Sequence, residues 1–182
     1  MAMSALTGEG VREVVDYLMT HRAAAQHRDI GYGSEAFIAA ESLLSWYNRR
    51  VYFETENDRN IDFNEVIADI FEEVRKNLKK CGGNVPHFKV FASGVDGDYT
   101  KASMIGVDYD VEYARKLTGQ YSALSVIINA RAAADSQMMA GIVEDAIEFV
   151  CGKYKMRSRT YFMETFGMME EGRGNGGKAS KY

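Results

Sequence analysis

The stretch SGVDGDYTKASMIGVDYD, from Ser93 to Asp110, packs four aspartates and three glycines into eighteen residues. Carboxylates at that density can hold a divalent cation and activate water through it, the chemistry of metal-dependent nucleases and phosphoesterases. Asp96, Asp98 and Asp108 would supply the ligands if a hairpin folded the segment on itself. The competing reading is a plain turn. Asp96-Gly97 tolerates positive φ at both central positions and sits between two strand-like runs, so a hairpin turn with solvated acids is favoured. A calcium loop starting at Asp96 fails on its own pattern, which needs glycine at the sixth position and glutamate at the twelfth; the chain has Lys101 and Val107 there.

Other sets of reactive residues are weaker. The string Asp96-Gly-Asp98-Tyr-Thr100 resembles the DxDxT motif of haloacid-dehalogenase-like phosphatases, whose first aspartate attacks phosphorus and whose second acts as acid and base. That motif belongs after the first parallel strand of a doubly wound sheet, whereas here it falls mid-chain in an expected hairpin. His21, His27 and His87 form no i,i+4 pair and neither Cys81 nor Cys151 belongs to a CxxC, so no zinc site is expected. Cys151 and His87 are the nominal nucleophile pair, against the default of a buried thiol. The glycines of GYGSE, Gly31 to Glu35, precede a helix but no Lys-Ser/Thr follows, which leaves Ser34 as a cap and not a phosphate loop. No cofactor and no metal are expected.

The most informative surface segment is KYKMRSRTY, in which Lys153, Lys155, Arg157 and Arg159 alternate, with Tyr154 and Tyr161 close by. On a strand the four cations would share one face. That face would suit nucleic-acid phosphates, with the tyrosines stacking on bases, or an acidic patch on a protein. These six residues are the expected binding site. Arg75, Lys76, Lys79 and Lys80 form a second basic cluster that the dipole at a helix C-terminus explains.

These residues must be positioned by a chain of 182 residues with formal net charge −4, 46% hydrophobic and 26% charged. That composition suits one soluble domain with its own core. No apolar run approaches the roughly eighteen residues needed to span a bilayer, and no secretory signal is visible, so a cytoplasmic protein with reduced cysteines is expected. No membrane partner is expected.

Apolar spacing predicts a first helix from Gly8 to about Gln26, with Thr7 as its cap, and a second from Ser34 to about Arg50, after which VYFETEND either extends that helix or forms a short strand. A third, capped by Asp62, carries the stripe Val66, Ile67, Ile70, Phe71, Val74 and Leu78 and stops at Gly82-Gly83. Two strands flank the Asp96-Gly97 turn, and Asp110 caps a short helix over VEYARKLTG. YSALSVIINA is a central strand. Asp135 then caps a helix with Met139, Ile142, Val143, Ala146, Ile147 and Val150 inward, and the segment after it is read as a final strand. The expected class is α+β: a single domain over residues 1–169, helical over about 1–83 and built on a small, mostly antiparallel sheet with flanking helices over 84–169. Residues 170–182 form a flexible tail.

With no nucleophile, ligand set or cofactor loop that holds up, a binding protein is favoured over an enzyme. In length and general character the chain resembles the anti-CRISPR proteins of phages and mobile elements that act on type II systems, a resemblance of the whole and not of a motif. It implies an inhibitor that binds an RNA-guided nuclease with its guide RNA, with Glu144, Asp145, Glu148, Glu170 and Glu171 addressing basic surface and the KYKMRSR stripe touching nucleic acid. The alternatives are a metal-dependent nuclease or phosphoesterase using Asp96, Asp98 and Asp108, and a nucleic-acid-binding accessory protein. Homodimerisation is open on sequence grounds.

Overall fold

The computed structural model describes residues 1–21, 39 and 42–167. The chain divides into two compact units, Met1–Ser34 and Glu35–Tyr182. In the first, helix α1 (Val11–Thr20) is shorter at its start than the spacing predicts. Its N-cap is Gly10 at φ 68°, with no side-chain cap, so Thr7 does not play the expected role.

The second unit is an α+β layer pair. Its elements run β1 (Ser45–Thr55), α2 (Phe63–Lys80), β2 (Asn84–Ser93), β3 (Tyr99–Met104), β4 (Glu112–Arg115), β5 (Ala123–Ala133), α3 (Ser136–Tyr154) and β6 (Met156–Gly167). The six strands form one sheet in the order β4-β3-β2-β5-β1-β6, every neighbouring pair antiparallel. The core of this arrangement, β1-α2-β2 followed by β5-α3-β6 with β1 and β5 side by side, is the split β-α-β topology of ferredoxin-like folds. The β3–β4 pair extends it at one edge.

Helix α2 begins where Asp62 accepts a hydrogen bond from the Asn64 amide at 2.8 Å. It ends in a Schellman turn, with Gly82 at φ 68° and the Gly83 amide reaching back to the Leu78 carbonyl at 2.9 Å. Asp135 caps α3 by accepting from the amides of Gln137 and Met138. The expected stripes of both helices are buried. They pack on the sheet face formed by Tyr47, Val51 and Phe53 of β1, Phe88 and Val90 of β2, and Val126 and Ile128 of β5, with Phe71 edge-on to Phe88 at 5.1 Å.

Two elements correct the sequence reading. Ser45 to Arg50 were expected to end a helix, and the first part of that helix, with Ser34, lies outside the described residues. Instead Ser45–Thr55 is a strand at the heart of the sheet, so the sheet does not begin near residue 84 as expected. The alternation was hidden because Arg49 occupies a core position while Trp46 and Tyr52 occupy the opposite face. VEYARKLTG was expected to be a short helix capped by Asp110; its first residues form β4 instead. A segment that short gains little from helix propagation, and pairing with β3 satisfies its backbone directly. The tail expected over 170–182 lies outside the described residues, as do Glu170 and Glu171.

Candidate nucleic-acid interface

The acid-rich stretch begins as a turn and continues into β3. Gly97 takes φ 84° between β2 and β3, and the Gly94 amide closes the hairpin on the Asp98 carbonyl at 2.9 Å. Asp98 accepts from the Thr118 amide at 2.7 Å, the Thr118 hydroxyl at 2.9 Å, the Gly119 amide at 3.3 Å and the Arg115 guanidinium at 3.0 Å. Gly94 and Gly119 are small because Tyr121 lies across them: a Cβ would stand 2.6 Å from the ring at Gly94 and 3.0 Å from the phenol oxygen at Gly119. Asp108 is elsewhere, paired with Lys79 at 2.9 Å. The three acids expected to share a metal are therefore not brought together, and no cluster of three or more potential metal ligands exists among the described residues. What the sequence offered as an active site is a clamp between the β2–β3 turn and the segment after β4.

The nominal nucleophile pair is not assembled either. Cys151 lies on α3, and His87 lies on the strand face turned away from the helices. Burial raises the Cys151 pKa and lowers that of His87, with Lys89 adding to the second shift. Both cysteines are free thiols.

The expected basic stripe is divided among three settings. Lys153 and Tyr154 belong to α3, where both reach Asp69 of α2, at 2.6 and 2.7 Å; burial and then the bond to Asp69 push the Tyr154 pKa up to about 12. Lys155 is the C-cap of α3 at φ 54°. Only Arg157, Arg159 and Tyr161 lie on β6. The four cations do not share a strand face because the helix runs two residues further than the alternation of charges suggests.

Arg157 and Arg159 instead join a larger surface. The sheet face opposite α2 and α3 is not covered by any described element of its own unit, with Phe91 and Ile127 at 39% and 44% exposed. The strand registers fix its rows. Across one end run Phe166, Trp46, Arg131 and His87; next come Glu164, Asn48, Asn129 and Lys89; then Phe162, Arg50, Ile127, Phe91 and Lys101; then Arg159, Tyr52, Ser125, Ser93 and Tyr99. Cations therefore outnumber acids on this face of a protein whose net charge is −4.

Its aromatics are held by neighbours. The Arg131 guanidinium lies 4.2 Å over the Trp46 ring, and Phe166 is nearly parallel to Trp46 with centroids 5.9 Å apart. Tyr52 meets Tyr161 edge-on at 6.4 Å, and Phe91 packs against Tyr99, over which Arg115 lies at 4.2 Å. Between the aromatic ends the amides of Asn48 and Asn129 are hydrogen-bonded to each other. The sequence carries one signal of this face: Trp46, Asn48, Arg50 and Tyr52 alternate along β1.

Chemically, the face offers rings for stacking, side-chain amides for base edges and guanidinium and ammonium groups for phosphates. No family profile matches the chain, and no curated protein matches it. Among solved structures, it is similar to the crystal structure of a hydantoinase/carbamoylase family amidase from Burkholderia ambifaria at TM-score 0.39 and 10% identity, over 66% of this chain and 28% of that one. The chain thus matches under a third of that protein's length. No described helix is long and apolar enough to cross a membrane.

Proposed function

We propose that the protein binds single-stranded nucleic acid across the uncovered sheet face, with Trp46 and Tyr52 stacking on bases and Arg50, Lys89, Lys101, Arg157 and Arg159 meeting phosphates. The observation that carries the reading is the co-location of aromatic rings with most of the sheet's cations on one face of an acidic protein. Open antiparallel sheets in RNA-binding modules use the same physics, stacking two or three bases on aromatic side chains of the central strands. A flat face of this kind suits splayed single strands better than duplex, whose bases are already stacked on one another.

Trp46 is the only tryptophan, so it reports directly on stacking. Oligo-U or oligo-dT of about fifteen nucleotides should quench its fluorescence, with log K falling against log salt by about 0.7 per phosphate contact. Tyr52→Ala should cost about 1–3 kcal/mol of affinity with the salt slope unchanged, whereas Lys101→Ala should flatten the slope. Absence of binding at low salt, or duplex binding as tight as single strand, would overturn the reading. The nuclease-inhibitor expectation is a separate proposal that no side-chain arrangement among the described residues favours; an inhibitor that binds only protein would leave free oligonucleotides unbound and be captured by the nuclease alone.

A further inference from the structure

β6 is an edge strand. It is laddered to β1 on one side, and no described strand lies on the other. It runs twelve residues without proline, and Tyr161, Phe162 and Met163 at its middle are 58%, 52% and 52% exposed. Such an edge is a template for another strand unless charge or shape protects it.

The shape of β6 says which strand fits. Its register on β1 slips between Arg50, which pairs with Phe162, and Val51, which pairs with Thr160, leaving Tyr161 as the extra residue of a bulge. One extra residue reverses the alternation of faces beyond it. Arg157 and Arg159, opposite Glu54 and Tyr52, therefore lie on the same uncovered face as Phe162, Glu164 and Phe166, opposite Arg50, Asn48 and Trp46.

Two copies of a strand joined antiparallel in one sheet are related by a two-fold axis normal to it, and residues facing each other must come from the same face. A regular strand cannot centre that axis between two adjacent residues, since they point to opposite sides. The bulge permits it. With the axis between Tyr161 and Phe162, Arg159 faces Glu164, Arg157 faces Phe166 and Thr160 faces Met163, each pair on one side of the sheet. Glu164 is the only acid of β6, and neither it nor Arg159 forms an ion pair among the described residues. Symmetry makes the complementary Arg159–Glu164 contact twice.

We propose that β6 pairs with β6 of a second copy in this register, joining two six-stranded sheets into one and making a single continuous uncovered face. The pairing is independent of nucleic acid, so it is tested without any. Sedimentation of the full chain at about 100 µM, a hundredfold above a micromolar dissociation constant, should show a dimer. Arg159→Glu or Glu164→Arg alone places like charges opposite each other twice and should weaken dimerisation about tenfold or more. The exchange of both, Arg159→Glu with Glu164→Arg, should restore it to within about threefold of wild type. A monomer at that concentration, a dimer indifferent to the single reversals, or a double variant weaker than either single would overturn the proposal. Circular dichroism of each variant separates loss of pairing from loss of fold.

Discussion

The Tyr121 hydroxyl bridges the carboxylates of Asp96 and Asp98, at 2.9 and 3.1 Å, and so ties the two sides of the turn to one ring. Burial first, then these two carboxylates, push the Tyr121 pKa up. Asp98 shifts the other way. The Thr118 amide first, and then its hydroxyl, Arg115 and Tyr121, hold the Asp98 carboxyl far below the usual carboxylate range against the opposing effect of desolvation.

A depressed native pKa contributes stability that is complete above the unfolded value, near about 4, and is lost as pH falls toward the native one. Asp98→Asn removes the contribution. The Tm of the wild type should therefore exceed that of the variant by several degrees at about pH 6, and the gap should narrow as pH is lowered to about 2. A gap that widens in acid would reject the clamp.

Arg49 is 4% exposed on the helix-covered face of β1, yet its partner Glu144 on α3 is 46% exposed. The guanidinium also donates to Thr160 at 2.7 Å and to Tyr47. Burial alone would lower the Arg49 pKa, and the bonds to Glu144 and Tyr47 more than offset it. Glu144→Ala leaves a buried cation short of its counter-charge and should cost about 1–3 kcal/mol in urea unfolding, because the uncompensated charge stays inside. Arg49→Met should cost less than about 1 kcal/mol, since Glu144 returns to water and the methionine fills the stem. The reverse order would mean that the pair acts through packing alone.

Lys155 holds φ 54° at the end of α3, a conformation that costs a residue with a Cβ and suits glycine. Lys155→Gly should raise stability by about 0.5–1 kcal/mol. It should leave oligonucleotide affinity within about twofold, whereas Arg159→Ala should weaken it and flatten the salt dependence. Loss of binding in the glycine variant would return Lys155 to the site.

The sequence reading recovered the parts of this fold that local chemistry specifies. Asp62 and Asp135 act as caps, the α2 and α3 stripes are buried, Asp96-Gly97 turns a hairpin and residues 123–133 form a central strand. The first half of β1 reads as helix because a buried Arg49 and a half-buried Trp46 on the opposite face blur the alternation that marks a strand. The binding face was mostly illegible for a different reason. Trp46 meets Arg131, and Asn48 meets Asn129, only through a register set by residues in other strands. Alternating cations in KYKMRSR were visible, but the helix end that divides them depends on a left-handed Lys155, which no residue type announces.

The split topology also sets an order of assembly. Ser45 opens the strand that ends up between β5 and β6, and its hydroxyl bonds to the Ala132 carbonyl, 87 positions along the chain. While the chain is being synthesised, β2 can pair with β3 and β3 with β4, but β1 has neither neighbour until β5 has emerged. Until then Tyr47, Val51 and Phe53 have no sheet to enter. The non-local contacts at the centre of the sheet make its closure the slow step, and a chain released before Ala133 would leave these core side chains of β1 exposed to whatever lies nearby.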